Sequence, residues 1–175
     1  ALAQAPSMDG SLQALLANAK VVKTLDAIKA DDARAFEEQK RITEIPAPPF
    51  KEKVRAEYYL KRMQEFGLKD ASIDGEGNVI ALRKGTGGGR PKLVVSAHLD
   101  TVFPEDVDVT VKEKDGVINA PGIGDDSRGL AALLSMVKAM NENSVATVGD
   151  LLIVGTVGEE ELGVDLFYRN GRGVV

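Results

Sequence analysis

His98 is the only histidine in the sequence, and it stands two residues before Asp100 in Ala97-His98-Leu99-Asp100-Thr101. In extended chain that spacing sends both side chains to the same side. A carboxylate so placed can orient an imidazole, as the outer shell of a metal site requires. Taken alone, His98 would serve equally well as a strand-end histidine with ordinary hydrogen bonds, and it is the company it keeps that argues for more. Ala120-Pro121-Gly122-Ile123-Gly124-Asp125-Asp126-Ser127 is too rich in glycine for a helix and too acidic for a buried turn. Either Asp126 or Ser127 suffices to cap the helix that follows, which leaves Asp125 over, with two oxygens that could bridge two ions. The third cluster, Glu159-Glu160-Glu161, closes the apolar run Leu151–Val157. A solvated acidic loop is the plain reading of such a run by itself, but three like charges at one strand end repel unless cations offset them.

Oxygen ligands with one imidazole suit Zn²⁺, Co²⁺ or Mn²⁺. The sequence has no cysteine, which excludes disulfides and thiolate metal sites. A paired-metal site of this kind would polarise a carbonyl and supply a hydroxide at neutral pH. A glutamate of the set that is not bound to metal could then act as general base.

The elements that must position these residues can be read from periodicity. Ser11 to Ile45 has helical spacing: Leu12, Leu15 and Leu16, then Val21, Val22, Leu25 and Ile28, with a second helix restarting at Asp31-Asp32 and turning Phe36, Ile42 and Ile45 inward. Pro46-Ala47-Pro48-Pro49 stops it, and a third helix is predicted from Lys51 to Phe66 with Gly67 as its C-cap. Ala71 to Lys84 alternates about Gly75-Glu76-Gly77-Asn78, and Val107–Ile118 about Asp115-Gly116, so both read as hairpins. Lys92–Ser96 and Asp150 to Val157 read as buried strands, and Ser127 to Asn141 as a helix with Leu130, Leu133, Leu134 and Val137 on one face. This order predicts an α/β fold, a three-layer sandwich about a mixed parallel and antiparallel sheet. Ligands of such sheets bind beyond the carboxyl ends of the strands, where His98 and Glu159-Glu160 would lie.

Several functions are excluded or disfavoured. The net charge of −5, with scattered Lys and Arg, gives no electrostatic footprint for nucleic acid. No apolar run approaches the roughly 20 residues of a membrane helix. Gly85-Thr86-Gly87-Gly88-Gly89 is followed by Pro91 and a strand, not by a helix that could hold a phosphate. A dinucleotide-binding module therefore has only the general α/β pattern in its favour. Ala1-x-Ala3 fits the small-residue pattern before a signal-peptidase cut, which points to an exported protein with residues 1–10 as a disordered leader. An arbitrary boundary in an alanine-rich leader, and a cytoplasmic location, are the alternatives.

Ser96-Ala97-His98-Leu99-Asp100-Thr101-Val102, Gly122-Ile123-Gly124-Asp125-Asp126 and Glu159-Glu160, in that order, resemble the co-catalytic dizinc peptidase and deacylase family. That family includes acetylornithine deacetylase, succinyl-diaminopimelate desuccinylase, glutamate carboxypeptidase, aminoacylase and peptidase T. Ile45-Pro46-Ala47-Pro48-Pro49-Phe50 also looks like a family segment, so the resemblance runs from about Asp32 to Gly163. It implies that His98 ligates one zinc, Asp100 holds its imidazole, Asp125 bridges two zincs, Glu160 ligates the other and Glu159 is the general base. The glutamate pair is placed at 159–160 because Gly163 then falls where relatives often carry glycine. Two zinc ions, with Co²⁺ or Mn²⁺ as substitutes, and a small peptide or N-acyl amino acid substrate follow from the same resemblance.

The departures carry expectations too. Ser127, followed by Arg128, stands where many relatives carry lysine. A further acidic ligand, a histidine late in the chain and a lid or dimerisation domain are expected of relatives and are not found in this sequence. Residues 11–175 therefore look like the N-terminal portion of a catalytic domain, inactive or nearly so alone, whose parent could dimerise through the lid. The rival of another class is a non-catalytic binding or scaffold module that keeps the fold.

Overall fold

The computed structural model describes residues 8–88 and 92–160. The Ala1-x-Ala3 motif, Glu161, Gly163 and the remainder of 161–175 lie outside the described residues. Four helices lead: α1 (Met8–Ala17), α2 (Ala19–Ala30), α3 (Asp32–Thr43) and α4 (Lys53–Glu65). Strands β1 (Ser72–Ile73), β2 (Val79–Arg83), β3 (Lys92–His98), β4 (Lys112–Lys114) and β5 (Val117–Asn119) follow, then α5 (Ser127–Glu142) and β6 (Asp150–Thr156).

The stretch expected to hold two helices holds three, and the first starts at Met8, inside the expected leader. The extra break is at Asn18, whose side-chain oxygen accepts from the backbone N–H of Lys20 (3.0 Å) and Val21 (3.4 Å) and so caps α2. The leucines of α1 keep their helical spacing but form an exposed stripe. The C-cap expected at Gly67 is borne out by its φ of +101°, a conformation that glycine adopts without steric cost.

The main sheet has the order β1-β2-β6-β3, with β3 and β6 parallel and the other pairs antiparallel. The mixed sheet expected from the element order is thus observed. Val107–Ile118 contributes less than its alternation suggested. Only Lys112–Lys114 and Val117–Asn119 pair, as a separate ribbon. The strand at Lys92–Ser96 runs on through His98 and is an edge strand of the described sheet, not a buried one, with Leu93 and Val94 exposed.

Strand periodicity decides which face is buried. Val79 and Ala81 of β2, Leu151 and Ile153 of β6, and Ala97 of β3 point to the same side. There they meet Tyr59 and Met63 of α4, Leu130, Leu134 and Val137 of α5, and Ile42 of α3 in one core. Gly155 allows the closest approach: a Cβ there would sit 3.1 Å from the Tyr59 ring, whose hydroxyl donates to the Leu130 carbonyl at 3.1 Å. Among the described residues α4 and α5 lie on this one face with α3 packed on α5, and no second helical layer is present. The opposite face carries Ile80, Leu82, Val94 and Leu152 together with Val154, which is buried.

Candidate metal centre

The parallel register aligns His98 with Thr156, so β3 and β6 end side by side. That places the two functional stretches, 98–100 and 158–160, on neighbouring strand ends. The Leu99 N–H donates to the Thr156 carbonyl at 2.7 Å and continues the pairing one residue beyond β3.

Asp126 fixes the third stretch. One of its oxygens caps α5 by accepting from Gly129 N–H (2.9 Å), and the other accepts from the backbone N–H of His98 (3.2 Å). A single carboxylate thus ties the start of α5 to the end of β3. The peptide bond between Asp125 and Asp126 is cis. The glycine loop before it passes under Thr101, and a Cβ on Gly122 (φ +73°) would come within 2.7 Å of Thr101 Cγ2. Gln39 of α3 donates to the Ile123 carbonyl at 2.6 Å and braces the same loop.

Asp125 Oδ1 then lies 2.9 Å from His98 Nε2, and its side chain is 81% exposed. Candidate ligand atoms of His98, Asp125 and Glu160 all fall within 4.8 Å of one another. Glu159 reaches within 3.9 Å of His98 Nε2 from the rim. Every site residue expected from the sequence is therefore in this cluster.

Asp100 is fully buried behind the imidazole. Its Oδ1 stands 3.5 Å from His98 Nδ1 and has no hydrogen bond, while its Oδ2 accepts from Glu160 N–H at 2.8 Å. His98 Nδ1 faces the Asp100 carbonyl oxygen at 3.0 Å. A proton on Nδ1 is held there, and Nε2 is left toward Asp125 and Glu159 as the ligand atom. Burial lowers the pKa of His98, but the carboxylates of Asp100 and Asp125 on either side of the ring outweigh it and raise it to about 9. Burial also raises the Glu160 carboxyl, and the charge of Asp125 adds to it. A carboxyl raised in this way by its acidic neighbour would be relieved by a nearby cation. One imidazole with several carboxylates, crowded together and backed by a buried carboxylate with an orphan oxygen, fits a divalent cation such as zinc.

Residues that carried no sequence signal complete the frame. Arg55 of α4 is buried and donates to the carbonyl oxygens of Leu99 (2.7 Å) and Ile45 (2.5 Å). Burial lowers its pKa to about 10, against the opposing fields of Asp100 and Glu52. Glu52 accepts from Phe50 N–H (2.9 Å) and Gly158 N–H (3.0 Å), and buried Asn78 accepts from Val157 N–H (3.0 Å). Their partners are backbone groups, those at Leu99, Gly158 and Val157 far away in the chain, and such contacts leave no pattern in the sequence.

Residues 94–173 match the model of peptidase family M20/M25/M40. These residues belong to that family. The M20 segment contains His98, Asp100, Asp125, Glu159 and Glu160, all the residues of the cluster. Over 121 residues the chain is 31% identical to a [LysW]-lysine/[LysW]-ornithine hydrolase of Pyrococcus abyssi, an alignment covering 69% of this chain and 32% of that protein. A tripeptidase from Staphylococcus aureus superposes with a TM-score of 0.58 at 27% identity, over 73% of this chain and 37% of the tripeptidase. The dipeptidase Dug1p of Saccharomyces cerevisiae gives a TM-score of 0.66 at 14% identity, over 87% and 38% respectively, which shows the shared fold. The chain spans about a third or less of the length of the curated relatives it matches.

Proposed function

We propose that this M20 segment belongs to a zinc-dependent hydrolase that cleaves the amide bond of a small peptide or an N-acyl amino acid. The observation that carries the reading is the convergence of His98, Asp125 and Glu160 within 4.8 Å, with buried Asp100 behind the histidine. His98 would hold one ion, Glu160 the other and Asp125 both, with Co²⁺ or Mn²⁺ as possible substitutes for zinc. When bound, the ions supply polarisation of the scissile carbonyl and acidification of a water.

The residues of the chain do the rest. Asp100 and its carbonyl fix the imidazole so that Nε2 faces the site. Glu159, 57% exposed at the rim, can take the proton of the attacking water and pass it to the leaving amine. The relatives' names are consistent with this bond type: one is a [LysW]-lysine/[LysW]-ornithine hydrolase and the other a tripeptidase. Glu159→Ala in the full-length protein should abolish turnover of dipeptides and N-acyl amino acids while leaving the bound zinc in place. Near-normal kcat in that variant would sink the assignment of the base.

Three described donors are fewer than two four-coordinate ions require. Residues 1–175 by themselves are therefore expected to bind zinc weakly and to hydrolyse little. Robust, chelator-sensitive peptidase activity from this chain would overturn that expectation.

A further inference from the structure

Glu52 stands at the N-terminus of α4 but makes no side-chain capping bond to that helix. The residue is 4% exposed, and among the described residues it forms no ion pair within contact distance. Burying such a charge is costly unless hydrogen bonds replace water. Both of its recorded hydrogen bonds come from backbone N–H groups, those of Phe50 and of Gly158, which is 106 residues away. Each of these donors belongs to a residue in the left-handed region, Phe50 at φ 67° and Gly158 at φ 63°. Glu52 therefore anchors a turn at Phe50 that a side-chain-bearing residue would not favour unaided, together with the turn at Gly158, which glycine adopts without steric cost.

Gly158 immediately precedes Glu159. On the other side, Glu160 N–H is held by Asp100 Oδ2 at 2.8 Å. Two buried carboxylates, one from α4 and one from the end of β3, thus grip the backbone at 158 and at 160. The side chains of Glu159 and Glu160 are presented from a peptide pinned at both ends, while the side chain of Glu159 itself stays exposed.

We propose that Glu52 is a positioning residue for the Glu159–Glu160 pair, acting through the Gly158 N–H. The inference rests on the reading of His98, Asp125 and Glu160 as metal ligands. Glutamine at position 52 keeps a carbonyl oxygen that can accept from Gly158, whereas aspartate is shorter by a methylene and cannot reach.

The test compares wild type, Glu52→Gln and Glu52→Asp in the full chain by amide hydrogen exchange at Gly158 and by Co²⁺ titration followed through its visible absorption. Glu52→Asp should accelerate exchange at Gly158 and weaken Co²⁺ binding about 10-fold, while Glu52→Gln should stay close to wild type in both. A residue that only stabilised the fold would lower the unfolding midpoint in Glu52→Asp without moving Co²⁺ affinity, and that result would overturn the proposal. Unchanged exchange at Gly158 in Glu52→Asp would also overturn it. Wild-type chain that binds no Co²⁺, or a His98→Ala variant that binds it as well as wild type, would instead remove the metal reading on which the proposal rests. Exchange at Gly158 still reports the Glu52 anchor in that case. If Glu52→Asp does not fold, Glu52→Met, which keeps the length of the side chain but removes the acceptor, decides: loss of Gly158 protection with loss of Co²⁺ affinity supports the anchor, and retained Co²⁺ affinity or retained protection refutes it.

Discussion

Asp100 has no exposed surface, and one of its oxygens lies unpaired beside His98 Nδ1 while the other holds Glu160 N–H. It therefore touches both candidate ligands without being one. An asparagine there would keep an acceptor for Glu160 N–H but remove the negative charge behind the imidazole. Loss of such an outer-shell partner commonly costs about 10–100-fold in metal affinity. Asp100→Asn is expected to weaken zinc binding by that order in competition with a chromophoric chelator, and wild-type affinity in the variant would exclude the orienting role. His98, Asp125, Glu159 and Glu160 were legible in the sequence because imidazole and spare carboxylates are conspicuous at strand ends and in glycine loops. Glu52 and Arg55 were not, because they act on backbone groups 106 and 44 residues away and look like ordinary charges near a helix start.

Helices α3 and α4 are joined by a buried polar knot centred on Glu38, which is 2% exposed. Its carboxylate accepts from Arg62 Nη2 (2.6 Å), Tyr58 Oη (2.6 Å) and Arg34 Nη1 (3.1 Å). Burial raises its pKa, but the bonds to Arg62 and Tyr58 outweigh this and hold it below the ordinary value of 4.5. Burial and the same carboxylate push the Tyr58 hydroxyl up to about 12. A group whose folded pKa is depressed contributes stability that is complete above its unfolded pKa and is lost as pH falls through the folded value. Urea unfolding at neutral pH and near pH 3 should therefore show an acid loss of stability in wild type that is smaller in Glu38→Gln. The variant itself should be about 2 kcal/mol less stable at neutral pH, since Arg62 and Tyr58 lose their common acceptor. Equal acid losses in the two proteins would show that Glu38 is not a source of the pH dependence. At this scale the sequence was informative where one residue type dominates a local event: Gly67 follows the last turn of α4, the cap of α5 falls on Asp126, one of the two residues offered for it, and the alternation of Ala71 to Lys84 gives the β1–β2 hairpin. It was silent on the Asn18 break, because a polar residue inside a helical repeat fits an exposed face as readily as a cap. It was also silent on the edge position of β3, because apolar runs do not reveal how many neighbours a strand has.

The layer of helices makes the two faces of the sheet unequal, and this inequality can be measured. Ile153 on the helical face is 1% exposed, and truncating such a residue leaves a cavity as well as removing buried area. Ile153→Ala is expected to cost about 2–5 kcal/mol in denaturant unfolding. Val94 and Leu82 on the opposite face are 44% and 39% exposed, so their side chains have surrendered only part of their contact with water. A lysine at either position can lay its aliphatic stem along the sheet and keep its ammonium solvated. Val94→Lys and Leu82→Lys are therefore expected to change the stability of this chain by less than about 1 kcal/mol. They should also reduce self-association, because a partly exposed apolar sheet face with a strand edge beside it is a surface on which chains pair. A loss comparable to that of Ile153→Ala in either lysine variant would show that this face is packed within the 175 residues. Tolerance of both would establish that the helices on one face alone sustain the sheet whose strand ends carry His98 and Glu160.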